Sequence, residues 1–177
     1  MSKTLRRLII IVAAIVFIVS AAQIGWHYYQ LYIAARAYDD IRVEAVVEEE
    51  EPPEEDTFST IGIDFAALHA INTDIIAWLY IPDTPVSYPI LYGETNQTYL
   101  RTTYERKSNI LGSIFMDYRN NKEFQDWNTV IYGHNTSNDS MFGSLKKYKN
   151  QEYADSHPYV QVIRENDVLV YEIFSVY

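Results

Sequence analysis

The chain has 177 residues, no cysteine, a formal net charge of -10, and 48% hydrophobic with 15% aromatic residues. That length holds one membrane segment and one modest domain rather than two full domains. The acidic balance argues against nucleic acid as the main partner, because phosphate binding needs a basic face, and the absence of cysteine rules out a disulfide framework within these residues.

Residues 1–7 carry Lys3, Arg6 and Arg7 and read as a short cytoplasmic basic segment. The next run, residues 8–26 from Leu8 to Trp26, has no charged residue. As a helix it would span roughly 28 Å, close to the hydrocarbon thickness of a bilayer. The run is long for the apolar part of a cleaved signal peptide, so it is read as a retained transmembrane anchor with the N-terminus cytoplasmic. Trp26, Tyr28, Tyr29 and Tyr32 suit the far interface. Residues 27–57 are expected to be a juxtamembrane and acidic linker. Between Asp39 and Asp56 there are ten acids against the single base Arg42, and Pro52-Pro53 disfavours packing. This stretch is read as a solvated spacer holding the domain off the membrane surface.

The folded domain is expected over residues 58–177. "IDFAALHAIN" predicts a short helix with Asp64 as N-cap and Phe65, Leu68 and Ile71 on one face. "AWLYIP" predicts a strand stopped by Pro82, and "DTPVSYPI" a second extended piece. "NQTYLRTTY" reads as a short helix or turn. "GSIFMDY" and "WNTVIYGH" read as strands joined by the polar loop "RNNKEFQD". "SMFGSLKKY" reads as a short amphipathic helix, and "YVQVI" and "VLVYEIFSVY" as strands joined by a tight turn. With sixteen tyrosines and many β-branched residues, the pattern is α+β and mainly β, closer to a barrel than to a doubly wound sheet.

His134 is the residue singled out for chemistry. Imidazole both donates and accepts a proton near neutral pH. At the end of an apolar run, with Gly133 allowing close approach, it would face an open groove; the plainer alternative is a turn histidine bonded to its neighbours. His69 reads as a half-buried packing residue of a short helix, His157 as a turn residue before Pro158, and His27 as part of the membrane interface. No paired histidine spacing suggests a metal site. Asp117, Asp126 and Asp139 read as solvated or turn-forming. Ser137 and Ser140 lie near His134, but no nucleophile-elbow motif surrounds them, so a serine hydrolase ranks last. Asn96, Asn135 and Asn138 match the short glycosylation pattern, which recurs by chance.

Taken in order, "NTDIIAWLYIPDTPVSYPI", "TYL", "GSIFMDYRN", "NTVIYGHN" and "MFGSLKKY" resemble the class B sortases of Gram-positive bacteria. The similarity covers about Asp64 to Val162. Ala77-Trp78 stands where many relatives have Gly-Trp. The resemblance implies a β-barrel with flanking helices on a membrane-anchored, extracytoplasmic domain. It also implies a cysteine transpeptidase without cofactor. A thiolate would attack a Thr carbonyl in a C-terminal sorting signal, and the amine of a cell-wall precursor would resolve the thioester. The family histidine falls on His134, as general acid towards the leaving amine. The family cysteine follows a "TLSTC"-like strand, and an arginine comes soon after; neither has a counterpart among these 177 residues.

The expected partners are therefore a sorting-signal peptide of surface proteins, the amine of a cell-wall precursor and the membrane. A barrel incomplete at its C-terminal end and inactive alone is expected, with a separate chain as one source of the missing half. "VLVYEIFSVY", apolar on both faces, is expected to be a central barrel strand. The rival reading is a membrane-tethered non-catalytic module that binds a peptide or wall component.

Overall fold

In the computed structural model, which describes residues 2–47 and 60–177, the apolar N-terminal run opens one helix, α1 (Lys3–Ala45), of 43 residues. The Ser2 hydroxyl caps it by accepting from the Leu5 amide at 3.2 Å. Residues 2–29 are exposed throughout. From Leu31 onward the helix acquires a buried stripe, Leu31, Ala34, Tyr38, Ile41 and Ala45, at alternating spacings of three and four. The linker expectation therefore fails for residues 31–45, which are helical and packed into the domain. Residues 48–57, the most acidic part of that expected linker, lie outside the described residues.

After α1 come β1 (Val46–Val47) and β2 (Gly62–Ile63). They pair antiparallel, with Val46 opposite Ile63 and Val47 opposite Gly62. The chain thus re-enters the fold beside the point where it left it. Asp64 then caps α2 (Phe65–Ile71), accepting from the Ala67 amide at 2.9 Å. Phe65 and Leu68 are buried, as their spacing predicts, and Ile71 packs partly buried against the core.

Six strands follow: β3 (Ile75–Tyr80), β4 (Ser87–Tyr92), β5 (Ile114–Met116), β6 (Ile131–Tyr132), β7 (Tyr159–Ile163) and β8 (Val168–Glu172). They form one sheet in the order β6-β5-β4-β3-β7-β8. Every pair is antiparallel except β4 with β5. A parallel pair needs a crossover, and the turn-rich residues 93–113 supply it. β3 and β4 are central and mostly buried, carrying Trp78, Tyr88, Ile90 and Leu91, each at most 1% exposed. The sheet is curled: Ile131 at one edge and Tyr171 at the other line a single cavity of about 390 Å³, with Leu79, Val160, Val162 and Phe174.

Several sequence expectations shift at this level. β8 pairs along five residues with β7 and with no second strand among the described residues. Val168, Val170 and Tyr171 are 37%, 37% and 43% exposed. "SMFGSLKKY" becomes a 3₁₀ helix, Phe142–Lys149. Its start is drawn tight against the preceding loop, where a Cβ on Gly143 would meet the Thr136 carbonyl oxygen at 2.2 Å. A further helix, α3 (Gln151–Ser156), was not read from the sequence. The Asn150 side chain caps it, accepting from the Tyr153 amide at 3.3 Å.

Buried polar residues tie the crossover to the rest. Asn72 donates to the Tyr104 carbonyl at 2.8 Å and the Tyr99 hydroxyl at 3.0 Å, while its own oxygen accepts from Arg106. The Tyr99 hydroxyl donates to Asp74 at 2.5 Å. Burial and that carboxylate together hold the Tyr99 phenol up at about 12. Tyr38 of α1 donates to the Gly112 carbonyl at 2.6 Å, so the helix closes the same network from outside the sheet.

Candidate functional site around His134

His134 lies two residues beyond β6, where the sheet ends and a tight loop begins. Gly133 precedes it because nothing larger fits without a shift. A Cβ there would lie 2.4 Å from Ile114 Cδ1 and 2.7 Å from a Phe142 ring carbon. The loop is closed behind the histidine: the Phe142 amide donates to the His134 carbonyl at 3.0 Å, and Asn135 bridges Met141. Thr136 donates to the Ser140 carbonyl at 2.6 Å, and the Met141 amide donates to the buried Tyr88 hydroxyl at 2.9 Å. Asp139 and Met141 take positive φ values of 61° and 50°, so the turn is held in sparsely populated backbone regions by these bonds.

The His134 backbone is therefore tightly held while its ring is not. The residue is half-buried, and its imidazole makes no hydrogen bond among the described residues. A held backbone with an unengaged ring leaves both nitrogens available for proton transfer to a bound group.

The neighbouring serines do not complete a nucleophile pair. Ser140 Oγ donates to Asn138 at 2.8 Å and lies 3.1 Å from the Thr136 hydroxyl. Ser137 is exposed, and no hydrogen bond joins either serine to His134. His69 donates from Nε2 to the Ile75 carbonyl at 2.9 Å from a half-buried position, matching its packing role. His157 lies against Tyr153, its ring 4.2 Å from that ring and its Nδ1 2.8 Å from the Tyr153 carbonyl. Neither belongs to the His134 loop.

What the sequence reading missed is the support under β6. Asp117, read as solvated or turn-forming, is 2% exposed at the end of β5. It accepts from Arg119 through Nε at 2.9 Å and Nη2 at 2.8 Å, from the Arg119 amide at 2.9 Å, from Asn96 at 3.0 Å and from the Tyr132 hydroxyl at 3.0 Å. The Arg119 guanidinium and these further donors hold its carboxyl well below the usual carboxylate range. Tyr132 is the residue two before His134, so this buried carboxylate pins the strand that delivers the histidine. The signal in sequence was the Asp-x-Arg spacing at the end of an apolar strand, which permits a fork across one turn.

Asp126 does form turns, accepting from the Asn121 amide at 2.6 Å and from Asn120 at 2.8 Å. Asn120 in turn accepts from the Val130 amide at 2.9 Å, which brings the polar loop back to the start of β6. Asp139 pairs with Lys146 of the 3₁₀ helix.

The comparisons with known proteins fall on this region. The Sortase family model, described as a sortase domain, matches residues 79–177. Sortase B of Listeria monocytogenes is 43% identical over 113 residues, which is 62% of this chain and 45% of that protein. Sortase B of Staphylococcus aureus is 35% identical over 113 residues, 64% of this chain and 46% of that protein. The crystal structure of sortase B from Bacillus anthracis superposes with a TM-score of 0.71 at 34% identity, covering 85% of this chain and 69% of that one. The chain spans slightly less than half the length of the curated relatives it matches.

Proposed function

This chain belongs to the sortase family, and from that premise we propose that it contributes the histidine-bearing part of a class B sortase, a cysteine-type transpeptidase that attaches surface proteins to the cell wall. The observation that carries the reading is His134: a held backbone and an unengaged ring, directly after β6, within the matched region. Supporting it, the relatives at 35% and 43% identity are both named sortase B.

In this reading a thiolate attacks the carbonyl carbon of a Thr in the sorting signal. His134 protonates the nitrogen as the carbon–nitrogen bond breaks, and a thioester remains on the thiol. An amine of a cell-wall precursor then attacks the thioester, its proton passes to His134, and the thiolate is released. These 177 residues contain no cysteine, so the thiol and the charge-stabilising arginine come from residues other than these. Residues 1–7 are cytoplasmic, Leu8–Trp26 crosses the membrane, and the domain is extracytoplasmic. The helix that holds this run is long and apolar enough to cross.

The test is complementation. The chain is co-expressed with a segment of a class B sortase that carries the cysteine and arginine strands, and a sorting-signal peptide is supplied with an amine acceptor. His134→Ala is expected to cost a factor of ~10² or more in transpeptidation, the usual size of a lost general acid. His69→Ala and His157→Ala are expected to leave the rate nearly unchanged. Without the added segment no thioester should form. Equal rates for the parent and His134→Ala would overturn the assignment.

A further inference from the structure

The acidic segment is not what separates the domain from the membrane. α1 runs unbroken from the apolar span into the domain, and β1 and β2 close the excursion that contains the acids. The distance from bilayer to domain is therefore set by helical rise alone. From Trp26 to Gln30 that rise is roughly 6 Å, and the headgroup layer on each side of the hydrocarbon is itself about 5–8 Å deep.

At Gln30 the domain is already in contact. Asn109 donates to the Gln30 carbonyl at 3.3 Å and lies 3.2 Å from its side-chain oxygen. The next residue, Leu31, is 9% exposed, while Tyr28, Tyr29 and Tyr32 on the same turns are 65%, 52% and 61% exposed. The aromatic belt and the first domain contact thus share one stretch of helix. Asn109 in turn donates its amide to the Arg101 carbonyl at 2.9 Å, which brings Arg101 to the same level. Arg101 is exposed, and its guanidinium makes no ion pair or hydrogen bond among the described residues. Its basic neighbours are engaged: Arg106 with Asn72 and Asp74, and Lys107 with Glu105 at 2.7 Å.

We propose that the 101–109 loop, closed by an antiparallel bridge between Thr102 and Ser108, is a membrane-docking surface, with Arg101 seated among the phosphates of the lipid headgroups and the domain held against the bilayer by α1. This rests on the reading of Leu8–Trp26 as a span. Unpaired arginine at headgroup depth is favourable, because phosphate takes its planar fork in two hydrogen bonds. The consequence is a fixed height for the His134 loop. Asn138, Asp139 and Ser140 share a cleft with Asp39 and Arg42 of α1, nine to twelve residues farther up the helix than Gln30. Asp39 alone stands roughly 14 Å above Gln30 along the axis. Sorting signals would then be met roughly two to three helix turns above the lipid surface, not at the end of a flexible tether.

The chain has no cysteine, so single-cysteine variants report one position each. The full chain is reconstituted in nanodiscs of phosphatidylcholine and phosphatidylglycerol. Nitroxide labels are placed at Val16→Cys, Ser108→Cys and Ser137→Cys, and depth is read by collision with oxygen and with a water-soluble nickel chelate. The Val16 label is expected in hydrocarbon, the Ser108 label at headgroup depth, and the Ser137 label in water. Arg101→Glu is expected to lift the Ser108 label towards water without moving the Val16 label. A Ser108 label as accessible as Ser137, with Val16 in hydrocarbon, overturns the docking alone. A Val16 label in water overturns the span and the docking with it. An unmoved Ser108 label in Arg101→Glu overturns the role of Arg101.

Discussion

Along α1 the segment from Leu8 to Trp26 carries no charge on any side and is polar only at Ser20 and Gln23, whereas from Leu31 to Ala45 the buried positions form a single stripe. Both stretches are good helix, and the backbone does not change between them. What changes is the medium each one requires. An all-round apolar surface is satisfied by lipid, and a stripe by a protein face on one side with water on the other. The first stretch shows no buried residue; the second buries Ala34, Tyr38, Ile41 and Ala45, each at most 2% exposed. One helix thus carries a run long and apolar enough to cross a membrane and also forms a structural wall of the domain.

The comparison breaks most visibly at tyrosines. Tyr38 is 2% exposed, stacks edge-on with Tyr88 at 5.5 Å and donates to Gly112, whereas Tyr32 is 61% exposed. Tyr38→Ala is expected to destabilise the domain by about 3–5 kcal/mol, as for other buried aromatics cut to alanine. Tyr32→Ala should stay within about 0.5 kcal/mol. Urea unfolding midpoints of the full chain in micelles measure both. Similar shifts for the two variants would mean that the stripe is not what attaches α1.

The converse substitution probes the first stretch. Ile15 is 55% exposed and lies within the charge-free run from Leu8 to Trp26. Ile15→Arg is expected to cost about 2.5–3.5 kcal/mol of membrane insertion, with the urea midpoint of the domain unmoved. The readout is the fraction of protein recovered in alkali-washed membranes. Undiminished recovery would argue that this run does not lie in hydrocarbon.

The α1 stripe was legible in principle. The positions 31, 34, 38, 41 and 45 alternate by three and four, but Asp39, Asp40 and Glu44 fall between them and drew the reading towards a solvated linker. Charge on the outer face of an amphipathic helix says nothing about its inner face. β3, β4 and β7, and α2 with its Asp64 cap, were read close to where they lie, because alternation and capping are local signals. Of the environment of Asp117 only the Arg119 fork had a local signal; its burial depends on Asn96 and Tyr132, which arrive from other parts of the chain. His134 could be located, but the unengaged state of its ring could not, because that follows from which groups the loop keeps for its own closure.

The smallest test concerns the last turn of α1, where Arg42 fastens the helix to the sheet. Its Nε donates to the Ser87 carbonyl at 2.8 Å and its Nη2 to the Pro85 carbonyl at 3.2 Å. Nη1 pairs with Asp39 at 2.7 Å, and the guanidinium lies 4.6 Å from the Tyr88 ring centroid. Arg42→Lys keeps the charge, and with it the favourable place of a cation at a helix C-terminus. It removes the planar fork that reaches two carbonyls at once. A loss of about 0.5–1 kcal/mol is expected, the size of one net hydrogen bond. Salt separates the two contributions. At 1 M the screening length falls to about 3 Å, so a partly exposed charge effect fades while a fork in direct contact does not. The Arg42→Lys deficit in urea midpoint should therefore survive in 1 M sodium chloride. If it disappears there, the arginine acts on α1 as a charge, and the stripe from Leu31 to Ala45 holds the helix without it.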